Sequence, residues 1–352
     1  MTARITPGRP VHDGPDTDGP PPPSPSNPVF RRAKAVLGRV DSFQRSHTFL
    51  AFPVGVVKKF SDDRAGSLAA LIAYYGFFSI FPLLLALVTV TSFVIRGNPA
   101  LQQRILDSAL SQFPIVGTKI GGNIHALRGS VPALVIGVGG AMWSGLAVVG
   151  AFRTAMDEIW NVPRRAGASF LARLWKGLVT LLALGAVIAI SGFLAGLGTT
   201  SRAGAVLRIV AFLAAAAIDV GLFALAFRLL TAKELSWRDV LPGAVLASVA
   251  WVGLQSFGVY LVDRQIRGAS NVYGFFAIVI GLLSWIFLAA QIVLVCAEVN
   301  VVLKEHLWPR RLSVPPTTPA DRRSLAGEAQ EEEAASDETV DVSFGDRRGG
   351  EV

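Results

Sequence analysis

Between about residues 50 and 308 the chain reads as long apolar runs broken by short polar stretches. "SLAALIAYYGFFSIFPLLLALVTVTSFVI" (67–95) and "VPALVIGVGGAMWSGLAVVGAF" (131–152) contain no charged residue, and "LVTLLALGAVIAISGFLAGLG" (178–198) follows the same pattern. Three further runs cover 206–230, 240–262 and 271–303, the last of them overlong. A hydrocarbon core about 30 Å thick is crossed by roughly 20 helical residues. A helix in a soluble core shows a charged face, and these runs show none. The pattern predicts an all-α polytopic membrane protein with six transmembrane helices.

The flanks have a different composition. Residues 1–28 are rich in Pro, Gly, Ser and Asp, and 306–352 is polar with the acidic run "EAQEEEAASDE". Neither carries enough apolar surface to offset the entropy of ordering, so both are expected to be disordered tails around the membrane domain at 67–305. Between tail and first span, 29–66 is expected to be a cytoplasmic or interfacial amphipathic segment. Within it Val29, Val36, Val40 and Phe43 share one helical face, with Arg31, Arg32, Arg39 and Arg45 elsewhere. The polar, Pro-rich start lacks the pattern of a cleavable signal peptide. Cys296 is the only cysteine, which excludes an internal disulfide and a multi-thiolate metal site.

The formal net charge of +8 is explained by its distribution. The loops 153–176 and 228–238 hold 5 and 3 Lys or Arg, and 17 more lie in the two flanks. The alternate loops, 96–128, 202–208 and 264–267, hold 4, 2 and 2. This alternation predicts both termini in the cytoplasm of a bacterial inner membrane. A nucleic-acid face would gather its positive charge on one surface with interleaved aromatics, so no nucleic-acid partner is expected.

Polar residues inside the apolar runs are the candidates for function. Asp219 falls in the middle of the fourth run, where an ionised group costs roughly 3 kcal/mol on insertion scales. Neither Arg208 nor Arg228 reaches it along its own helix. It is therefore expected to face the bundle interior, as a hydrogen-bonded acid or as part of a transport pathway, with Tyr74, Tyr75, Ser144 and Gln255 as candidate partners. Gln255 and Gln291 bond across helices by default. Pro82 removes a backbone donor in mid-span, and Ser79 is placed to bond the freed carbonyls, which makes this pair a candidate hinge. Arg153 and Asp157, four apart, share a helical face and are expected to tether the 153–176 loop.

"AALIAYYGFFSIFPLLL" resembles the first-span signature of the YihY / virulence factor BrkB family of bacterial inner-membrane proteins. "FRTAMDEIWNVPRR" (152–165), "SWRDVLPGAVLASVAW" (236–251) and "VYGFFAIVIGLLSWIFLAAQIVLVCAEVNVVL" (272–303) fit it in order, so the resemblance covers about 58–305. Val301 and Val302 depart from the smaller or polar residues expected after "AEVN", and both tails are longer. The resemblance implies six spans and no agreed activity. It also groups Glu298 and Asn300 of "AEVN" with Arg153 and Asp157 as candidates for an inner vestibule.

The family once carried the label ribonuclease BN. A metal-dependent nuclease needs clustered carboxylates and histidines, whereas His12, His47, His125 and His306 are scattered and the carboxylates do not cluster in the spans. No metal, no cofactor and no enzymatic activity are expected. The leading expectation is a transporter or flippase-like protein for a lipid or amphiphilic envelope component, with membrane lipids as partners and a homo-oligomer as an open alternative. The second is a non-transporting scaffold for envelope integrity, and the third, disfavoured, a membrane-bound hydrolase.

Overall fold

The computed structural model describes residues 41–44, 46–94, 131–163, 170–199, 205–266, 274–311, 318–333, 339–340 and 342–344. The tail 1–28, the amphipathic stretch 29–40 and the loop with His125 lie outside these. The described secondary structure is helical throughout. α1 spans Thr48–Asp62, α2 Ala65–Val94, α3 Val131–Ile159, α4 Phe170–Thr199, α5 Ala205–Leu230, α6 Trp237–Ile266, α7 Gly274–Glu305 and α8 Pro319–Glu331.

Each apolar run predicted as a span lies inside or along one of α2–α7. Five stretches are long and apolar enough to cross a membrane: Ala65–Phe93, Val131–Ile159, Leu213–Leu230, Trp237–Ser256 and Val279–Glu305. α4 carries a shorter apolar stretch, Leu174–Ile188. Large apolar side chains on the outside fit a lipid surround: Trp143 is 81% exposed and Val249 and Phe276 66%. In water such a surface would drive aggregation; in a bilayer it costs nothing.

α2 to α7 pack in chain order, and α7 returns to α2, so the six helices close a ring, with α7 also touching α3. Small residues let the backbones approach. Ala65, Ala69, Ala155, Ala244 and Ala297 are fully buried. A Cβ at Gly137 would lie 2.9 Å from the Ala86 backbone nitrogen, and one at Gly140 3.2 Å from Pro82, so α2 and α3 fit together along a glycine face. The main core lies in one half of the bundle, between the start of α2, the ends of α3, α5 and α7 and the start of α6.

α1 docks on that same end. Its Gly55 approaches the Leu307 carbonyl, and Phe52 meets Trp308 edge-on at 5.4 Å. Over 48–62 the segment before the first span is thus a packing element of the protein. The C-terminal tail departs from expectation. Thr318 caps α8 in a capping box with Asp321, with Pro319 opening the helix, and Ala320, Asp321 and Ser324 are buried. Polar composition alone pointed to disorder, but local capping and charge pairing order this stretch.

Candidate functional site

The end of α1 places two lysines four residues before two aspartates in overlapping frames, Lys58 before Asp62 and Lys59 before Asp63; Lys59 pairs with Asp63, whereas Lys58 and Asp62 take separate partners. Because adjacent residues point about 100° apart, the frames face different partners.

The outer frame holds α8. The Asp321 carboxylate, fully buried, accepts from Lys58 Nζ at 3.1 Å, Arg310 Nε at 3.1 Å, the Arg311 backbone N–H at 3.1 Å and Thr318 Oγ1 at 2.7 Å. Burial would raise its pKa, but these donors overcome that and hold it down at about 2. Arg310 also bridges to Asp62 at 2.9 Å. Gln44 donates to the Arg310 carbonyl at 2.8 Å. One anion thereby joins the two terminal segments.

The inner frame is sealed inside the protein. Lys59 is 0% exposed; its ammonium pairs with Asp63 and donates to the Ile159 carbonyl at the end of α3, at 3.1 Å. Glu298 of α7, also 0% exposed, faces both Asp63 and Lys59. Desolvation alone would lower the Lys59 pKa, but the Glu298 and Asp63 carboxylates outweigh it and raise it, so Lys59 stays charged. Burial pushes the Asp63 carboxyl up to about 6 against the pull of Lys59. Both Glu298 oxygens are buried without a hydrogen-bond donor. Two acids and one cation thus share a buried site where α1, α3 and α7 meet.

Three non-glycine residues with positive φ surround these clusters: Arg64 at 52°, Asn161 at 47° and His306 at 51°. They end α1, α3 and α7 abruptly, and so let Asp63, Ile159 and Glu298 converge. Gly327 of α8 packs so closely on Asn161 that a Cβ there would strike its amide.

The structure distributes the residues singled out in the sequence as follows. Glu298 and Asn300 lie in closed packing rather than along an open vestibule. Asn300 accepts the Gly243 backbone N–H at 2.6 Å, linking α7 to α6. Asp157 accepts the Ala232 N–H at 2.8 Å, so it tethers the α5–α6 turn, with Arg153 nearby in charge. The Ser79 hydroxyl donates to the Gly76 carbonyl at 2.7 Å, two residues before the Phe78 carbonyl that Pro82 releases, while Pro82 packs on Gly140.

Asp219 lies on the stripe of α5 that continues through Phe223 and Phe227 into the core, and it is half-buried. Among the described residues no donor reaches its carboxylate. Two of its expected partners lie turned away from it. Tyr74 is 55% exposed on the outer face, against Tyr75 and Phe78, and Ser144 bonds the Ala141 carbonyl of its own helix. Tyr75 packs at the edge of the main core. Gln255 and Gln291 are half-buried on α6 and α7.

Sequence reasoning found Glu298 and missed Lys59 and Asp63. The doubled i,i+4 spacing in "KKFSDD" (58–63) was the available signal, but charges beside a span read first as an interfacial flank.

The family model described as "Virulence factor BrkB" matches residues 56–320. A UPF0761 membrane protein of Vibrio vulnificus is 24% identical over 281 residues, 76% of this chain and 87% of the relative. A UPF0761 membrane protein of Rhodospirillum centenum is 27% identical over 268 residues, 72% of this chain and 58% of its own length. Inner membrane protein YhjD of Escherichia coli is 22% identical over 163 residues, 44% of this chain and 48% of the relative. No solved structure matches the chain.

Proposed function

The chain belongs to the virulence factor BrkB family of multi-pass inner-membrane proteins, and on that premise we propose that it is a transporter or flippase-like protein for an anionic lipid or other amphiphilic envelope component. Asp219 carries this reading. An ionisable group lies within a span, on the stripe of α5 that runs into the core, and no described residue donates to it. Intramembrane acids without a structural partner mark pathways.

The proposed topology has six spans, α4 completing the set, with both termini in the cytoplasm. The basic loops then rim the cytoplasmic mouth, where an anionic headgroup enters, and the terminal clusters lie on that side. The protein acts without cofactor or metal, and catalyses no hydrolysis. The scaffold reading relies on tails free to recruit partners; the docking of α8 on α1 weighs against it for 318–333.

The test is reconstitution of the full chain in liposomes with a fluorescent phosphatidylglycerol analogue in both leaflets, followed by quenching from outside. Protein-dependent loss of the protected inner fraction is expected. Retention of that fraction, with the protein shown to be folded and inserted, overturns the proposal.

A further inference from the structure

The charges of the inner cluster do not balance. With Asp63 and Glu298 both ionised against one Lys59 ammonium, the site carries one net negative charge, where desolvation penalises it most. Among the described residues nothing around it restores the balance. Asp62, the next acid on α1, is neutralised by Arg310 at 2.9 Å. Glu328 of α8 adds a further negative field on Lys59 and Asp63, and α3 offers the Ile159 carbonyl, another acceptor. Among the described residues no donor reaches either oxygen of the wholly buried Glu298, although the Asp63 carboxyl lies within hydrogen-bonding reach of it. A missing charge and a missing donor coincide at one place.

We infer that Asp63 and Glu298 form a proton-binding site, in which a single proton is held between the two carboxyls beside a permanently charged Lys59. One proton makes the cluster neutral and supplies the donor that Glu298 lacks. A metal cation fits worse. It needs several oxygen ligands, whereas the Lys59 ammonium already occupies the cation position, and among the described residues no group of three or more His, Cys, Asp or Glu could hold a metal ion. Asp63 is on the exchange side: it follows α1 directly, is 5% exposed, and adjoins solvent-exposed Asp62 and Arg64, whereas Glu298 is sealed. The site joins α1, the start of α2, the end of α3 and α7, so proton loss places an uncompensated charge at the junction of four helices. That charge is relieved only by moving them apart or admitting water. The inference deepens the transport reading, for which it supplies the coupling ion, and otherwise stands apart from it.

The test is pH-difference infrared spectroscopy of the purified full chain in lipid nanodiscs, in potassium chloride, between roughly pH 5 and pH 8. A protonated-carboxyl C=O band that disappears as pH rises is expected, and both Glu298→Gln and Asp63→Asn should abolish this titration. Each variant leaves one acid for one base, which needs no proton. Persistence of the band in both folded variants overturns the proposal, as does its absence from the wild-type protein, which decides the matter if a variant fails to fold. Loss of the band when sodium replaces potassium at constant pH would also overturn it, by making the site a sodium site. No substrate is involved, so a failed lipid assay with an intact titration rejects transport alone.

Discussion

The Asn300 side-chain carbonyl accepts the Gly243 backbone N–H at 2.6 Å, across the seam where α6 and α7 lie closest. A Cβ at 243 would run into the Cys296 carbonyl and the Asn300 amide itself. Glycine therefore serves here for approach, at the usual cost of about 1 kcal/mol in helix propensity.

Gly243→Ala is expected to lose more than that propensity gain returns, because the obstructing atoms are backbone and a fixed amide. A net destabilisation of about 1–3 kcal/mol follows from overpacking. Asn300→Ala should cost about 0.6–2 kcal/mol, one interhelical bond in a membrane protein. Thermal unfolding in detergent measures both. A Gly243→Ala protein as stable as wild type would show that the seam has slack.

The six apolar runs were legible because a bilayer leaves the backbone no alternative to helix, so composition alone decides the element. What remained hidden depends on partners remote in sequence. Lys59 and Asp63 look like membrane flank until Glu298 of α7 is placed against them. Asp157 reads as a brace for its own loop because its acceptor role toward Ala232 crosses to another one. α8 was legible in part: Thr318, Pro319 and Asp321 spell a helix start, but the polar composition around them argued for disorder. Asp219 was singled out by its position in the span; of its expected partners, Tyr74 turns outward, which the sequence pattern does not show.

The Asp63 carboxyl gives the fold a pH dependence. Its folded-state pKa, raised by burial from 3.8 to about 6, makes the native state bind more protons than the unfolded chain in that window. The contribution to stability is complete below about pH 4 and is lost as pH rises through 6, a fall on the order of 3 kcal/mol. Denaturation midpoints measured from pH 4 to 8 should decline accordingly, and Asp63→Asn should flatten the decline. An unchanged slope in that variant would assign the dependence to other groups.

Asp321 behaves oppositely. Held at about 2 by its four donors, it stabilises the docking of α8 above about pH 4, and that stability is lost as pH falls toward 2. Asp321→Asn removes the charge from a buried hub of Lys58 and Arg310. Breaking such a pair costs about 3–5 kcal/mol, so limited proteolysis between 312 and 333 at neutral pH should accelerate by roughly 100-fold or more. Equal cleavage rates would mean that α8 is held by its apolar contacts instead.

Topology has its own test. Reporter fusions after Arg45, at Ala168 and after Pro315 should report cytoplasm, and fusions near Lys119 the outside, as the uneven basic loops require. A fusion at Ala168 reporting the outside would remove α4 or a neighbour from the set of spans.

Asp219 separates packing from pathway. If the carboxyl had a structural bond, Asp219→Leu would lower the amount of folded protein by about 0.6–2 kcal/mol and Asp219→Asn would be nearly silent. With no donor among the described residues, Leu instead removes a polar group from an apolar bundle. Both variants should then accumulate at least as well as wild type, Leu with a gain of up to about 2–3 kcal/mol in insertion. Under the pathway reading both should nevertheless fail to restore the envelope phenotype of a deletion strain, since neither can ionise. An abundance blot beside the complementation assay reads the two effects separately. Low abundance of the Leu variant would return Asp219 to a structural role, and full complementation by both substitutions would remove it from the pathway.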